Sequence, residues 1–342
     1  MSTVTSAPRA PIEEQESRRR RSLPTWFGPW EIALLALVVI VLTVAGIASP
    51  HFATGQNFAI TAAGAMSLAL MAIPMAGLMI AGEIDLSIAS TFGLSGVVFG
   101  MTLDAGVPLA LALLVGLATG AAAGFLNGWL TTVFGLPSLV VTVGTLGLYR
   151  GIAFILLENR SISNIPAEWA TFAQNNIPGT YIPYPLILFA VVAGLAALIL
   201  HRGGLGRRIF AVGSSVEASR YSGIRVTFVK RLLFTLSGAV AALAGMLYTG
   251  YVSSARADNG TGLELTVIAI VLIGGISMYG GRGSFVGVVL SLILVTALGS
   301  WMNLGFVSTN VQNTVIGALM IAAVVVPALA VLIRDRTRRR LK

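Results

Sequence analysis

The chain has 342 residues, of which 56 % are hydrophobic and only 10 % charged, with a mean hydropathy of +0.88 and a formal net charge of +9. A water-soluble domain carries about 25 % charged residues, so a pair of soluble domains of this total length is excluded and most of the surface must meet lipid. Cysteine is absent and histidine is limited to His51 and His201, which excludes a disulfide framework, thiolate chemistry and a cysteine or histidine metal site.

The basic residues are clustered. Five lie in 1–30, seven in 202–231 and six in 334–342, eighteen of the 22 in the chain. Short basic tracts beside apolar spans fit cytoplasmic anchoring rather than a nucleic-acid stripe. The partner expected from this pattern is membrane lipid, not nucleic acid.

In chain order, 1–30 is polar, with Glu13, Glu14 and Glu16 followed by Arg18 to Arg21. It shows no cleavable signal pattern and reads as a disordered basic cytoplasmic tail running into an uncleaved first helix. A membrane-crossing helix needs about 20 apolar residues. No Asp, Glu, Lys or Arg occurs between Glu31 and Glu83, room for two spans separated by Ser49-Pro50-His51-Phe52 and Gly55-Gln56-Asn57. Further spans are predicted near 86–103, 108–133, 138–157, 183–201, 232–253, 264–281, 284–302 and 311–333, ten in all. The eighth is short and is interrupted by Gly274-Gly275. The expected architecture is therefore an all-α polytopic membrane protein with one transmembrane domain over 31–333, a cytoplasmic loop at 202–231 and a basic tail at 334–342.

Placing the N-terminus in the cytoplasm and alternating puts the 202–231 loop, Arg282 and the C-terminal tail inside. Arg160 and Arg256 fall outside, and Arg150 sits within the fifth span. The positive-inside rule is met with an even count and both termini cytoplasmic. The segment 158–182 falls outside, polar and turn-rich, with Trp169, Tyr181 and Tyr184 placed as interface anchors.

Catalytic equipment is missing. No G-x-x-x-x-G-K-[ST] occurs, and the lysines are Lys230 and Lys342, so phosphate cradling by a P-loop is excluded. No H-E-x-x-H occurs, and neither histidine has the setting of a catalytic base. Transport is the activity left.

Four segments carry information. The first is Ala81-Gly82-Glu83-Ile84-Asp85-Leu86-Ser87, with two carboxylates between apolar spans. Charged groups at membrane depth cost several kcal/mol unless paired or wet. Glu83 or Asp85 lines a polar path, or the two act structurally, by pairing with Arg150 or by Asp85 and Ser87 capping the third helix. The second segment runs from Gly206 to Ile224, GRRIFAVGSSVEASRYSGI, and predicts one short helix from a Ser215 cap to Gly223. Its Ala218, Tyr221 and Ile224 form an apolar face that its own loop cannot bury, which suggests docking of a soluble partner. The third and fourth are Gly260-Thr261-Gly262-Leu263-Glu264-Leu265 and the run Ile273-Gly274-Gly275-Ile276-Ser277-Met278-Tyr279-Gly280-Gly281-Arg282-Gly283-Ser284. Such dense glycine implies either close helix contact or a broken helix lining a cavity.

AGEIDLS, GRRIFAVGSSVEASRYSGI and GTGLELTVIAIVLIGGISMYGGRGSFVG, in that order, resemble the membrane permease subunits of ribose/xylose/arabinose-type ABC sugar importers. The resemblance is collinear from about Trp30 to Ala330. Members commonly read GGIDLS at the first motif; Glu83 here replaces the second glycine, a variant similar to rhamnose-type and autoinducer-type permeases.

The resemblance implies a second permease subunit, identical or paralogous, a cytosolic ABC ATPase and an extracytoplasmic sugar-binding protein. It implies no cofactor on this chain, with ATP-Mg consumed by the ATPase. It also implies that Val216, Glu217, Ala218, Ser219, Arg220, Tyr221 and Gly223 couple to the ATPase, Glu217, Ala218 and Gly223 matching the family pattern. Glu83, Asp85, Arg150, Glu264, Gly274 and Gly275 remain candidates for the path or its gate. The expected function is monosaccharide import without bond chemistry in this chain. The competing reading is an ion-coupled secondary carrier with an intramembrane carboxylate such as Asp85 as its ion site.

Overall fold

A computed structural model describes residues 28–158 and 160–340; the expected tail 1–30 lies outside the described residues up to position 27. Thirteen helices are formed among the described residues: α1 (Pro29–Ala48), α2 (Gly55–Ile80), α3 (Ile88–Asp104), α4 (Leu109–Val133), α5 (Ser138–Leu157), α6 (Ala167–Gln174), α7 (Tyr184–His201), α8 (Gly204–Ser214), α9 (Val216–Tyr221), α10 (Val226–Tyr251), α11 (Leu263–Ile273), α12 (Phe285–Leu304) and α13 (Thr309–Arg340). No strand forms among them; two isolated bridges join Ile162 to Ala255 and Asn176 to Pro183.

Each of the ten apolar segments becomes a helix, and among the described residues seven of these helices are long and apolar enough to cross a membrane. α3 and α11 are shorter apolar helices. α11 has 11 residues, about 16 Å at 1.5 Å per residue, roughly half of a hydrocarbon core. The expected full span at 264–281 is therefore corrected to a half-helix ending at Ile273. Gly275, in the left-handed region at φ 82°, turns the chain away.

α10 begins at Val226, six residues before the apolar run. Lys230 and Arg231 read as loop residues, yet both find partners inside the bundle: Lys230 pairs with Glu83, and Arg231 Nε donates to Thr132 Oγ1 at 2.6 Å. Charges in the second turn of a membrane helix are tolerable when they are paired.

α2 and α10 form the interior, with Met71, Met75, Leu78 and Phe234 fully buried, whereas α1 and α7 keep most of their apolar surface outward. α10 is held between α3 and α4 by close backbone approach. A Cβ at Gly124 on α4 would overlap the Phe234 carbonyl oxygen, one at Gly120 that of Gly238, and one at Gly245 that of Phe92 on α3. The spacing Gly120-x3-Gly124-x3-Gly128 puts three small residues on one face of α4. In lipid, where no hydrophobic drive pulls helices together, such faces allow the dispersion contacts that do.

The segment 158–182 is more ordered than its composition suggests. It contains α6, whose Trp169 Nε1 donates to the Met246 carbonyl at 2.8 Å and whose ring packs on Phe99 and Phe172. Trp169 thus locks α6 onto the C-terminal half of α10. Gln174 continues the attachment, donating to the carbonyls of Gly250 and Tyr251.

Candidate functional site

The AGEIDLS loop turns between α2 and α3 with Gly82 at φ 79°. Its two carboxylates have different partners. Glu83 forms an ion pair with Lys230 in the first turns of α10. Asp85, 1 % exposed, accepts from Ser87 N at 3.0 Å, Ser87 Oγ at 2.7 Å and Ser237 Oγ at 2.9 Å. Asn127 Nδ2 donates to Ser87 Oγ at 2.7 Å, and Tyr149 donates to Asn127 Oδ1 and the Ala123 carbonyl. One buried carboxylate thereby joins α3, α4, α5 and α10. A low-dielectric interior makes an unsatisfied polar group costly and a satisfied network rigid; this one is satisfied.

The pairing of either carboxylate with Arg150 is not formed. Arg150 instead donates from Nη1 to the carbonyls of Ala257 and Asn259, at 2.6 and 2.8 Å, and from Nη2 to that of Ala89 at 3.3 Å. These acceptors explain it: the chain between Tyr251 and Leu263 is unwound, so its carbonyls lack helical partners, and a guanidinium supplies several donors in one plane. The capping expectation for the third helix is met in part. Asp85 accepts the Ser87 N–H just ahead of α3, while the Ser87 side chain makes no cap bond to the helix.

The unwound stretch and the N-terminus of α11 border a cavity of about 640 Å³ whose polar lining includes Ser67, Tyr248, Ser254, Arg256, Asp258 and Thr261. Arg256 and Asp258 face each other with two 2.9 Å hydrogen bonds. The guanidinium holds the Asp258 carboxyl below the ordinary carboxylate value. Glu264 lies half-buried in the first turn of α11, where negative charge suits the exposed N–H groups. The close-contact reading of the Gly274 segment is seen in its packing. Gly274 seats α11 against α12, where a Cβ would lie 2.8 Å from backbone atoms of Val288, and the same residue ends a broken helix. Trp30 Nε1 closes that end by donating to the Ile273 carbonyl at 3.0 Å.

A second cavity, of about 500 Å³, lies beside the Glu83–Lys230 pair, with Thr131, Ser138 and Arg220 on its wall. Arg220 belongs to α9. The expected helix from the Ser215 cap to Gly223 is present as α9: Ser215 Oγ accepts from Ala218 N at 3.2 Å, and Gly223 follows at φ 78°. A second helix, α8, precedes it. Among the coupling candidates, Glu217, Ala218, Arg220, Tyr221 and Gly223 are exposed, Val216 is half-buried, and Ser219 is buried. Tyr221 is 93 % exposed, an unusual state for an aromatic ring.

The Ser277–Arg282 turn packs against the same corner. Gly281 N donates to the Ile80 carbonyl at 2.8 Å, and a Cβ at Gly213 would overlap that carbonyl oxygen. The α8–α9 junction, the end of α2 and this turn are thereby in backbone contact, and Tyr279 projects from the turn at 92 % exposure.

Lys230, Ser237, Asn127 and Tyr149 were not singled out in the sequence. A signal exists for two of them: Lys230 adjoins an apolar run, and Asn127 interrupts one.

Residues 57–324 match the family described as branched-chain amino acid transport system / permease component. The chain is also similar to the autoinducer 2 import system permease protein LsrD of Photorhabdus laumondii, 33 % identical over 302 residues that cover 86 % of this chain and 90 % of the relative. LsrD proteins of Yersinia enterocolitica and Salmonella typhimurium are each 32 % identical over 302 residues, covering 86 % of this chain and 91 % and 90 % of theirs. No solved structure matches the chain. With membrane-length helices, a broken helix beside a polar cavity and this collinear similarity, the chain belongs to the branched-chain amino acid transport system / permease component family and is a multi-pass helical membrane permease.

Proposed function

We propose that the chain is a permease subunit of an ATP-driven importer for a small, hydroxyl-rich solute of the monosaccharide or autoinducer-2 kind. The relatives named above are import permeases for autoinducer 2. The lining of the cavity at the broken helix suits such a solute: hydroxyls from Ser67, Ser254, Thr261 and Tyr248, beside one neutralised Arg256–Asp258 pair. Hydroxyl groups exchange hydrogen bonds with a solute without demanding a net charge on it.

The partners in this reading are a cytosolic ABC ATPase, a second permease subunit and an extracytoplasmic binding protein that carries most of the specificity. Both termini and the α8–α9 segment then lie in the cytoplasm. ATP-Mg is bound by the ATPase, and this chain needs no cofactor. The observation that carries the reading is α9, a six-residue capped helix that turns Ala218 and Tyr221 outward. Uncovered apolar side chains on a short helix are what a cleft in a soluble partner would receive.

Motion of α9 has a short route inward. Arg220 shares a cavity wall with Glu83 and Lys230; Lys230 sits on α10, and α10 leads to the unwound stretch beneath the outer cavity. ATPase closure would shift α9, tilt α10 through the Glu83–Lys230 contact and open the 252–262 segment to one side or the other.

The ion-coupled carrier reading places its ion on Asp85. That carboxylate is held by Ser87 and Ser237 and is closed to solvent, so a sodium ion would have to displace two hydroxyls and an amide, and a proton would have no water path to it. Uptake into proteoliposomes decides between the two. ATP-dependent uptake that requires the added ATPase and is lost in Glu217→Arg supports the proposal; uptake by the chain alone under a proton or sodium gradient refutes it.

A further inference from the structure

Between Leu205 and Val229 the chain carries four arginines and one acid, Glu217. Two of the arginines, Arg208 on α8 and Arg225 at the start of α10, line one cavity of about 520 Å³ together with Ser222 and Phe228. Both are exposed, and among the described residues neither forms an ion pair with a carboxylate. The first turn of α10 beside them has no side-chain cap, so its N–H groups add positive potential at the same place.

An apolar groove of about 220 Å³ lies nearby, among α2, α7, α8, α10 and α12. Leu195, Ile199, Leu205, Leu236 and Val240 are on its wall. The two cavities share a helix face. Arg225, Val229, Leu233, Leu236 and Val240 recur every three or four residues along α10, the spacing that stacks side chains on one side. Leu205 and Arg208 do the same on α8. Basic and apolar halves thus lie along one line, the basic half at the helix end and the apolar half toward the bundle middle.

We propose that this face is a binding site for an anionic phospholipid, its phosphate on Arg208 and Arg225 and one acyl chain in the groove bordered by Leu195 and Leu236. Charge complementarity selects the headgroup: paired arginines match phosphate geometry, and basic pockets between transmembrane helices suit acidic lipids. The apolar groove selects a lipid over a free anion, because a soluble phosphate gains nothing from it. A soluble protein is a poor occupant, since the groove lies among the apolar helices α7 and α12. The site adjoins α9 at both ends of its sequence, so a bound lipid would brace the docking helix against α10.

The test uses the purified full chain in nanodiscs of phosphatidylcholine with increasing phosphatidylglycerol, reading retained lipid by native mass spectrometry and the thermal unfolding midpoint. Preferential retention of phosphatidylglycerol is expected, with a raised midpoint. In Arg208→Gln/Arg225→Gln the preference should fall at least tenfold, while Arg208→Lys/Arg225→Lys keeps part of it and shows that the fold tolerates change there. Ala196→Leu, which narrows the groove without altering charge, should also reduce retention. Equal retention of both lipids by the unaltered chain overturns the site. So does an identical midpoint shift with inorganic phosphate that Ala196→Leu leaves unchanged, since that marks a free-anion site. Neither readout involves transport, so the permease reading stands or falls separately.

Discussion

Lys230 on α10 is paired with Glu83 in the α2–α3 loop, 147 residues earlier in the chain. The Glu83 side chain is 7 % exposed and that of Lys230 18 %, so most of the pair is out of water. Removing one partner from a buried pair costs about 3–5 kcal/mol because a charge is left uncompensated; the open cavity wall here lowers the figure toward about 2 kcal/mol. Glu83→Gln and Lys230→Met should each lower the unfolding midpoint and uptake, and Glu83→Lys/Lys230→Glu should recover a measurable part of both. A reversed pair no better than either single change would show that the contact contributes nothing.

The Asp85 network should behave differently, because it is held by neutral donors. Ser237→Ala removes one of three bonds to the carboxylate and should cost about 1–3 kcal/mol, the usual cost of leaving a buried polar atom short of a partner. Asp85→Leu strands the Ser87 amide and hydroxyl and the Ser237 hydroxyl together and should prevent stable expression. Chemical denaturation of the detergent-solubilised protein checks the first, and size-exclusion profiles check the second. A Ser237→Ala variant as stable as the parent would mean that Asp85 is satisfied without α10.

Glycine positions offer a matched comparison. Gly124→Val drives a branched side chain into the Phe234 carbonyl and should abolish assembly of α4 on α10. Gly144→Ala and Gly147→Ala on α5 meet nothing within 4 Å and should be tolerated, within about 0.5 kcal/mol of the parent or slightly more stable through the better helix propensity of Ala. Expression and unfolding midpoints measured in parallel report both. Tolerance of valine at position 124 would contradict the close helix approach.

Arg150 is expected to resist conservative replacement. Arg150→Lys keeps the charge but loses the planar fork that reaches Ala257, Asn259 and Ala89 at once. Transport should fall at least tenfold with a smaller loss of stability. A proteolysis or hydrogen-exchange experiment should place the new mobility at 252–262. Unchanged protection there would remove Arg150 from its role in holding the unwound stretch.

The spans were legible because a run of about 20 apolar residues in this composition has one stable outcome in lipid. Helix ends were legible where a breaker sets them, as at Pro137 before α5 and Ser215 before α9. The start of α10 was not, because Lys230 and Arg231 read as loop until Glu83 and Thr132 are known to meet them. α8 was hidden by Gly203, Gly204 and Gly206, poor helix formers on propensity alone, although Ile209 and Val212 pack into the core. The half-helix at α11 was foreshadowed by Gly274-Gly275, which end it at Ile273; that Arg150 would hold the unwound stretch before it was not. Motif residues gave away the location of the site; their partners Asn127, Lys230 and Ser237 lie 40 to 152 residues distant, and Ser237 leaves no local trace.

The most direct measurement of the central claim uses the absence of cysteine from the chain, which gives a clean background for crosslinking. Ala218→Cys on the exposed side of α9 and Ser219→Cys on its buried side would be placed separately in membranes that contain the partner ATPase, itself carrying one thiol in its docking cleft. A short bifunctional thiol reagent is expected to join the ATPase to the Ala218→Cys chain and not to the Ser219→Cys chain, with uptake lost on linkage. Absence of any crosslink from Ala218→Cys, with ATP-driven uptake intact, would contradict the assignment of α9 as the docking helix.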